Sequence, residues 1–211
     1  MCCRYYMEES PELRPYVEAA KRSSLLEKMV ARLARPLIAS GEVRPTNIVP
    51  VIAPSRSREM AVYPMLWGFT GKTAPLVNAR CETAADKPTF RESWEKRRCA
   101  IPASWYYEWE HHLSPDGKQK TGDKYMIQPL GANILFLAGL YRMEKQGDLT
   151  FPVFTVLTKE PTEALRRLHD RMPVILPRSA VADWIDPESK PAAILGSALS
   201  DMIIGKAENR R

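Results

Sequence analysis

The chain has 211 residues, a formal net charge of +6, and 45% hydrophobic and 27% charged residues. That length and balance suit one well-buried domain and exclude a disordered or low-complexity chain. No apolar run nears the ~20 residues a bilayer span needs, and Glu8, Glu9, Glu12 and Arg14 interrupt any signal-peptide core, so a cytoplasmic location is expected.

Residues 2–6 are predicted as a short strand, and Pro11 and Pro15 punctuate the segment after it. A helix is predicted over 16–35, with Leu26, Met29, Val30 and Leu33 on one face and Pro36 as its limit. Beyond residue 44 short strands at 48–52, 60–69 and 76–80 alternate with Pro- and Gly-bearing turns. Residues 88–97 read as a helix, since Pro88 is tolerated in a first turn. Strand-like stretches at 99–102 and 105–110 lead into a hydrophilic hairpin loop over 111–123. Strands are predicted at 124–128, 134–143 and 151–157, the last two divided by a turn at Gln146-Gly147-Asp148. Next come a helix over 160–168, a strand over 173–176 and a helix over 178–185, with a frayed tail from about residue 200. There is no repeat or linker, so the expected fold class is α+β: one mainly-β domain over 1–211 with peripheral helices.

The chemistry begins at the start of the chain. If Met1 is removed, Cys2 carries a free α-amine and a thiol on adjacent carbons, with ordinary pKa values near roughly 8 and 8.5. Such a 1,2-aminothiol condenses with an aldehyde to an imine, which the thiolate closes to a thiazolidine. The thiolate could instead attack an acyl carbon, and Cys2 reads equally well as an early residue of a buried strand. The cysteines (Cys2, Cys3, Cys81, Cys99) form no CxxC pair and have no histidine at finger spacing, so free thiols and no metal site are expected. The net charge permits a polyanionic partner without establishing one.

Other polar residues sit in apolar or aromatic surroundings. Glu108 lies among Trp105, Tyr106, Tyr107 and Trp109, where burial would raise its pKa towards the range of a general acid, although an edge strand could face it outward. His169 falls where a helix gives way to a strand, a position open to a structural or a catalytic histidine. Asn78 and Arg80 end an apolar strand. Trp67 could stack on a base or pack in the core.

The ordered motifs Met-Cys-x-Arg-Tyr, Leu-Trp-Gly-Phe, Asn-Ala-Arg-x-Glu-Thr, Arg-Arg-Cys-x-Ile-Pro-Ala-x-x-Tyr-Tyr-Glu-Trp and Leu-His-Asp-Arg-Met-Pro-Val-Ile-Leu run from Cys2 to about residue 186. Together they resemble the SOS-response-associated peptidase (SRAP) family. The resemblance implies a sensor of abasic sites in single-stranded DNA that forms a covalent thiazolidine through its N-terminal cysteine, with no cofactor or metal. By that resemblance Cys2 is the nucleophile, Asn78 positions it, Glu108 assists at the sugar and His169 moves protons. Arg4, Trp67, Arg80, Trp109 and Arg171 match positions that hold phosphates or stack on bases. The expected partner is single-stranded DNA containing abasic sites, and association with the nucleoid would follow damage. No oligomer is implied. Two positions depart from the pattern: Cys3 replaces the usual glycine, and Phe69-Thr70-Gly71 replaces the usual Leu-Ile-Pro. Two other readings use the same residues: a self-processing cysteine peptidase, and a non-covalent single-strand-binding module.

Overall fold

The computed structural model describes residues 3–114 and 116–207. Strand β1 (Tyr5–Met7) leads into helices α1 (Arg14–Lys21) and α2 (Ser24–Leu33). Strands β2 (Gly41–Val43), β3 (Ile48–Pro54), β4 (Met60–Trp67) and β5 (Asn78–Arg80) precede helix α3 (Pro88–Lys96). Five strands then run nearly without interruption: β6 (Arg98–Ala103), β7 (Trp105–Leu113), β8 (Gln119–Pro129), β9 (Leu135–Gln146) and β10 (Leu149–Lys159). The last part holds α4 (Glu163–Arg166), β11 (Met172–Pro173), β12 (Ile175–Leu176), α5 (Val181–Ile185), α6 (Pro191–Leu195) and β13 (Met202–Lys206). The α+β, mainly-β expectation holds.

Strands β10, β4, β3, β6 and β9 pair in that order, and β9 pairs again with β10, so the sheet closes on itself as a five-stranded barrel. Closure explains the sequence of these strands. The run Ile48-Val49-Pro50-Val51-Ile52-Ala53 is buried throughout, as is Phe151 to Thr158, because one face fills the barrel and the other lies under helices and loops. Gly139 of β9 sits where side chains converge: a Cβ there would stand 2.7 Å from Ile101 Cδ1 and 2.9 Å from the Thr155 carbonyl oxygen. Short β5 and β11 extend the barrel along the last residues of β10.

A second sheet, in the order β13-β8-β7-β1-β2, packs against the barrel. The chain passes from β6 to β7 through Ser104 alone, whose Oγ accepts a hydrogen bond from the Glu8 N–H (2.8 Å) and whose N–H donates to the Tyr6 carbonyl (2.8 Å). Arg98, wholly buried, fastens helices to the barrel. Its guanidinium donates to the carbonyls of Trp94 and Glu95 at the end of α3, and of Trp184 and Asp186 at the end of α5. A cation there meets carbonyls that helices leave unpaired.

Three elements differ from the sequence expectation. The 16–35 helix is two helices, because Ser23 is extended (ψ 122°) and starts α2 afresh. The 111–123 loop shrinks to residues 114–118, since β7 and β8 continue their ladder through polar residues to Leu113 and Gln119; one face of a two-sided hairpin can stay wet, so polarity does not end a strand. Within the expected frayed tail, Met202–Lys206 form β13, which pairs with β8 from Met202↔Pro129 to Lys206↔Tyr125, while 208–211 lie outside the described residues.

Candidate active site

Strand β7 carries the acid. Glu108 is 4% exposed between Tyr107 and Trp109, and burial raises its pKa to about 7. Its Oε1 accepts a long hydrogen bond (3.4 Å) from the Trp109 N–H. A carboxyl group with that environment is partly protonated at neutral pH and can both donate and accept a proton.

His169 faces it from the far side. It lies just past α4, whose Leu165 and the neighbouring Leu168 are buried, and its N–H closes a turn on the Leu165 carbonyl (3.1 Å). Burial lowers the His169 pKa, against the opposing pull of Asp170. Its Nδ1 lies 2.6 Å from Asp170 Oδ1 and 3.1 Å from the Arg171 N–H. Those contacts belong to different tautomers: with its proton on Nδ1 the ring donates to Asp170, and with its proton on Nε2 it accepts from Arg171. A change between the two moves one proton across the ring.

The structure adds a residue that the sequence reading left in a loop. His111, on β7, packs edge-on against His169 (centroids 5.7 Å apart, planes at 75°). Potential ligand atoms of Glu108, His111 and His169 lie within 4.8 Å of one another. Strict alternation would put Glu110 beside Glu108, but the ladder shifts register between Trp109 and His111. No sequence signal marks that irregularity.

The start of the chain is tied to the same strand. In β1, Tyr5 pairs with Tyr106, and the Arg4 carbonyl accepts from the Tyr107 N–H (2.9 Å). Arg4 Nη1 bonds Glu42 (2.7 Å), which also meets Lys124 (2.6 Å) and Arg44 (3.0 Å). Burial pushes the Glu42 pKa up, but Lys124 and Arg4 outweigh it and hold the carboxyl below its ordinary value. Three cations on one carboxylate leave an excess of positive charge. Lys124 lies over the Tyr107 ring (3.6 Å) and reaches Trp109 (5.3 Å), so a basic and aromatic patch stands on the strand that carries Glu108. Cys2 lies outside the described residues; Cys3 is a half-buried free thiol.

Asn78 and Arg80 open and close β5, opposite Val156 and Thr158 of β10. Asn78 is half-buried and Arg80 exposed. Two of the residues expected to meet DNA are buried. Trp67 is wholly buried: it stacks on Phe154 (6.0 Å), leans on Tyr5 (5.3 Å) and donates to the Val77 carbonyl (3.0 Å), so no ring face is open to a base. Arg171 is also buried; its Nη2 grips both Glu82 oxygens (2.9 and 2.7 Å) and the Thr158 carbonyl (2.7 Å), which makes it an internal clamp. Of the departures from the motif pattern, Phe69 is core and Thr70 bonds Glu144 through its N–H (2.9 Å) and hydroxyl (2.5 Å).

Residues 1–206 match the sequence model of the family described as SOS response associated peptidase (SRAP). The chain belongs to this family. Among curated relatives, the abasic site processing protein YobE of Bacillus subtilis is 37% identical over 126 residues, 59% of this chain and 55% of YobE. The abasic site processing protein YedK of Escherichia coli is 26% identical over 152 residues, 67% of this chain and 64% of YedK. The chain thus spans about half the length of YobE. A crystal structure of a Bacteroides thetaiotaomicron protein superposes with a TM-score of 0.74 at 21% identity, over 99% of this chain and 93% of that one. A phage-related protein of Bordetella bronchiseptica gives 0.70 at 22% identity, over 99% and 95%. These two likenesses show that the fold is shared with those proteins. No helix among the described residues is long and apolar enough to cross a membrane.

Proposed function

We propose that this SRAP protein processes abasic sites in single-stranded DNA by forming a covalent thiazolidine through Cys2 once Met1 is removed. The observation that carries the reading is the pairing of a buried carboxyl, its pKa raised to about 7, with His169 across the same small space. The relatives' names supply the substrate class. Arg4, two residues from Cys2, is hydrogen-bonded into β7 beside Tyr107, which supports a nucleophile acting close to Glu108.

An abasic sugar is mostly a closed hemiacetal. Glu108 gives a proton to the ring oxygen while His169 takes one from the anomeric hydroxyl, and the ring opens to the aldehyde. The Cys2 amine adds to the aldehyde carbon and water leaves, giving the imine. The thiol then adds across the C=N bond, sulfur to carbon and proton to nitrogen. Asn78 positions the N-terminal residue. The cations at Arg4, Lys124 and Arg80 hold flanking phosphates, and Trp109 offers a face to an unpaired base. The work is done in the cytoplasm, at the nucleoid after damage.

The test is incubation with an abasic single-stranded oligonucleotide and then denaturing electrophoresis. A denaturation-resistant adduct that forms on single strands and is absent with intact DNA supports the reading; its absence overturns it. The word peptidase in the family description favours a second reading, in which the same Cys2, Glu108 and His169 cleave a peptide bond. Release of a peptide from a fluorogenic substrate, lost in Cys2→Ala, would establish that activity.

A further inference from the structure

We propose that Glu108, His111 and His169 form a binding site for one divalent transition-metal ion of the zinc class. The donor set is two imidazoles and one carboxylate, which suits zinc and the neighbouring late first-row ions, whereas magnesium and calcium require mostly oxygen ligands. The three ligand atoms already lie within 4.8 Å of one another. A tetrahedral ion with bonds of ~2.0–2.2 Å holds its ligands roughly 3.4 Å apart, so rotations that move each atom by about an ångström complete the site.

Two further observations point to a ligand. His111 Nδ1 is buried and has no hydrogen-bond partner among the described residues, a costly state for an imidazole nitrogen. His169 Nδ1 is 2.6 Å from Asp170 Oδ1, the carboxylate–histidine arrangement common behind metal-bound imidazoles. The backbone also suits the task, since Glu108 and His111 stand on one strand and His169 on a turn closed by hydrogen bonds. His111 lies outside the motifs that carry the family likeness, two residues beyond Trp109. Three protein ligands leave a fourth position for water or an incoming ligand.

Metal on Glu108 and His169 would remove both from acid–base work, so zinc should inhibit adduct formation and a chelator restore it. That consequence rests on the proposed function; binding itself does not, and is measured separately. Equilibrium dialysis of the full chain against zinc chloride in a non-coordinating buffer should give one ion per chain, with no retention of magnesium. His111→Ala and His111→Gln should each weaken zinc binding at least about 10-fold, with unchanged circular dichroism. Cobalt(II) bound to the wild-type protein should show ligation by nitrogen and oxygen without thiolate-to-metal charge transfer, a reading that needs no variant. Zinc affinity undiminished in both His111 variants, no zinc retained, or strong sulfur charge transfer would each overturn the site.

Discussion

Burial raises the Glu108 pKa to about 7, so near neutrality its protonated and ionised forms are comparably populated. For a residue whose ordinary value is 4.5, that shift should register in both rate and stability. Adduct formation should fall along an alkaline limb with an apparent pKa near 7 as the acid is lost, and in Glu108→Gln the rate should drop and that limb disappear. Stability should move with pH in the matching direction. The folded pKa lies above the unfolded one, so the folded state binds more protons between about 4.5 and 7 and loses stability as pH rises through that window. At roughly 1.4 kcal/mol per unit the ceiling is about 3 kcal/mol. Urea unfolding of wild type and Glu108→Gln at pH 5 and pH 8 would measure it: the wild type should lose ground to the variant at pH 8. Replacing His169 by Ala should slow the adduct by ~10²–10⁴ while leaving single-strand affinity in place, as a time course with separate binding measurements would show. At this scale the sequence was an uneven guide. Aromatic neighbours single out Glu108 but leave burial and an outward edge position open, and the fold decides for burial. Local sequence leaves Trp67 open, since a tryptophan ending a barrel strand serves the core as readily as a ligand, and here it packs in the core. His111 was invisible, because its place beside Glu108 depends on a shift in the ladder.

Among the elements, the closed barrel and the buried guanidinium that fastens helices to it make the sharpest demands. Arg98→Met should strand several buried carbonyls at the ends of α3 and α5 at once. Each carbonyl left without a partner costs about 1–3 kcal/mol, so a loss of several kcal/mol should appear as a lower urea midpoint with little change in slope. Sequence reading located α3 and most barrel strands because Pro and Gly divide them and their apolar runs are short. It lost the hairpin of β7 and β8 where polarity suggested a loop, and lost β13, whose few residues gain their order from β8 rather than from local preference.

Across the whole molecule, the arginines separate by burial rather than by motif. Arg80 is exposed, so Arg80→Ala should weaken single-strand binding and reduce its log–log salt slope by up to about 0.7, the share of one phosphate contact. Arg171→Ala should leave that slope unchanged and lower the unfolding midpoint, because its partners are Glu82 and the Thr158 carbonyl. Titrations at several salt concentrations distinguish the two. The central claim concerns the chain's first residues, where the amine and thiol must stand on one carbon pair. Any extension before Cys2 turns the amine into an amide, which cannot form an imine, and leaves the thiol with at most a reversible hemithioacetal. The direct measurement compares protein confirmed by intact mass to begin at Cys2 with the same chain carrying an N-terminal tag, each incubated with abasic single-stranded DNA and then denatured. The expected result is a stable adduct with the first and none with the second, although both bind the strand. Equal crosslinking by the tagged chain would contradict the N-terminal mechanism and place the nucleophile on an internal lysine.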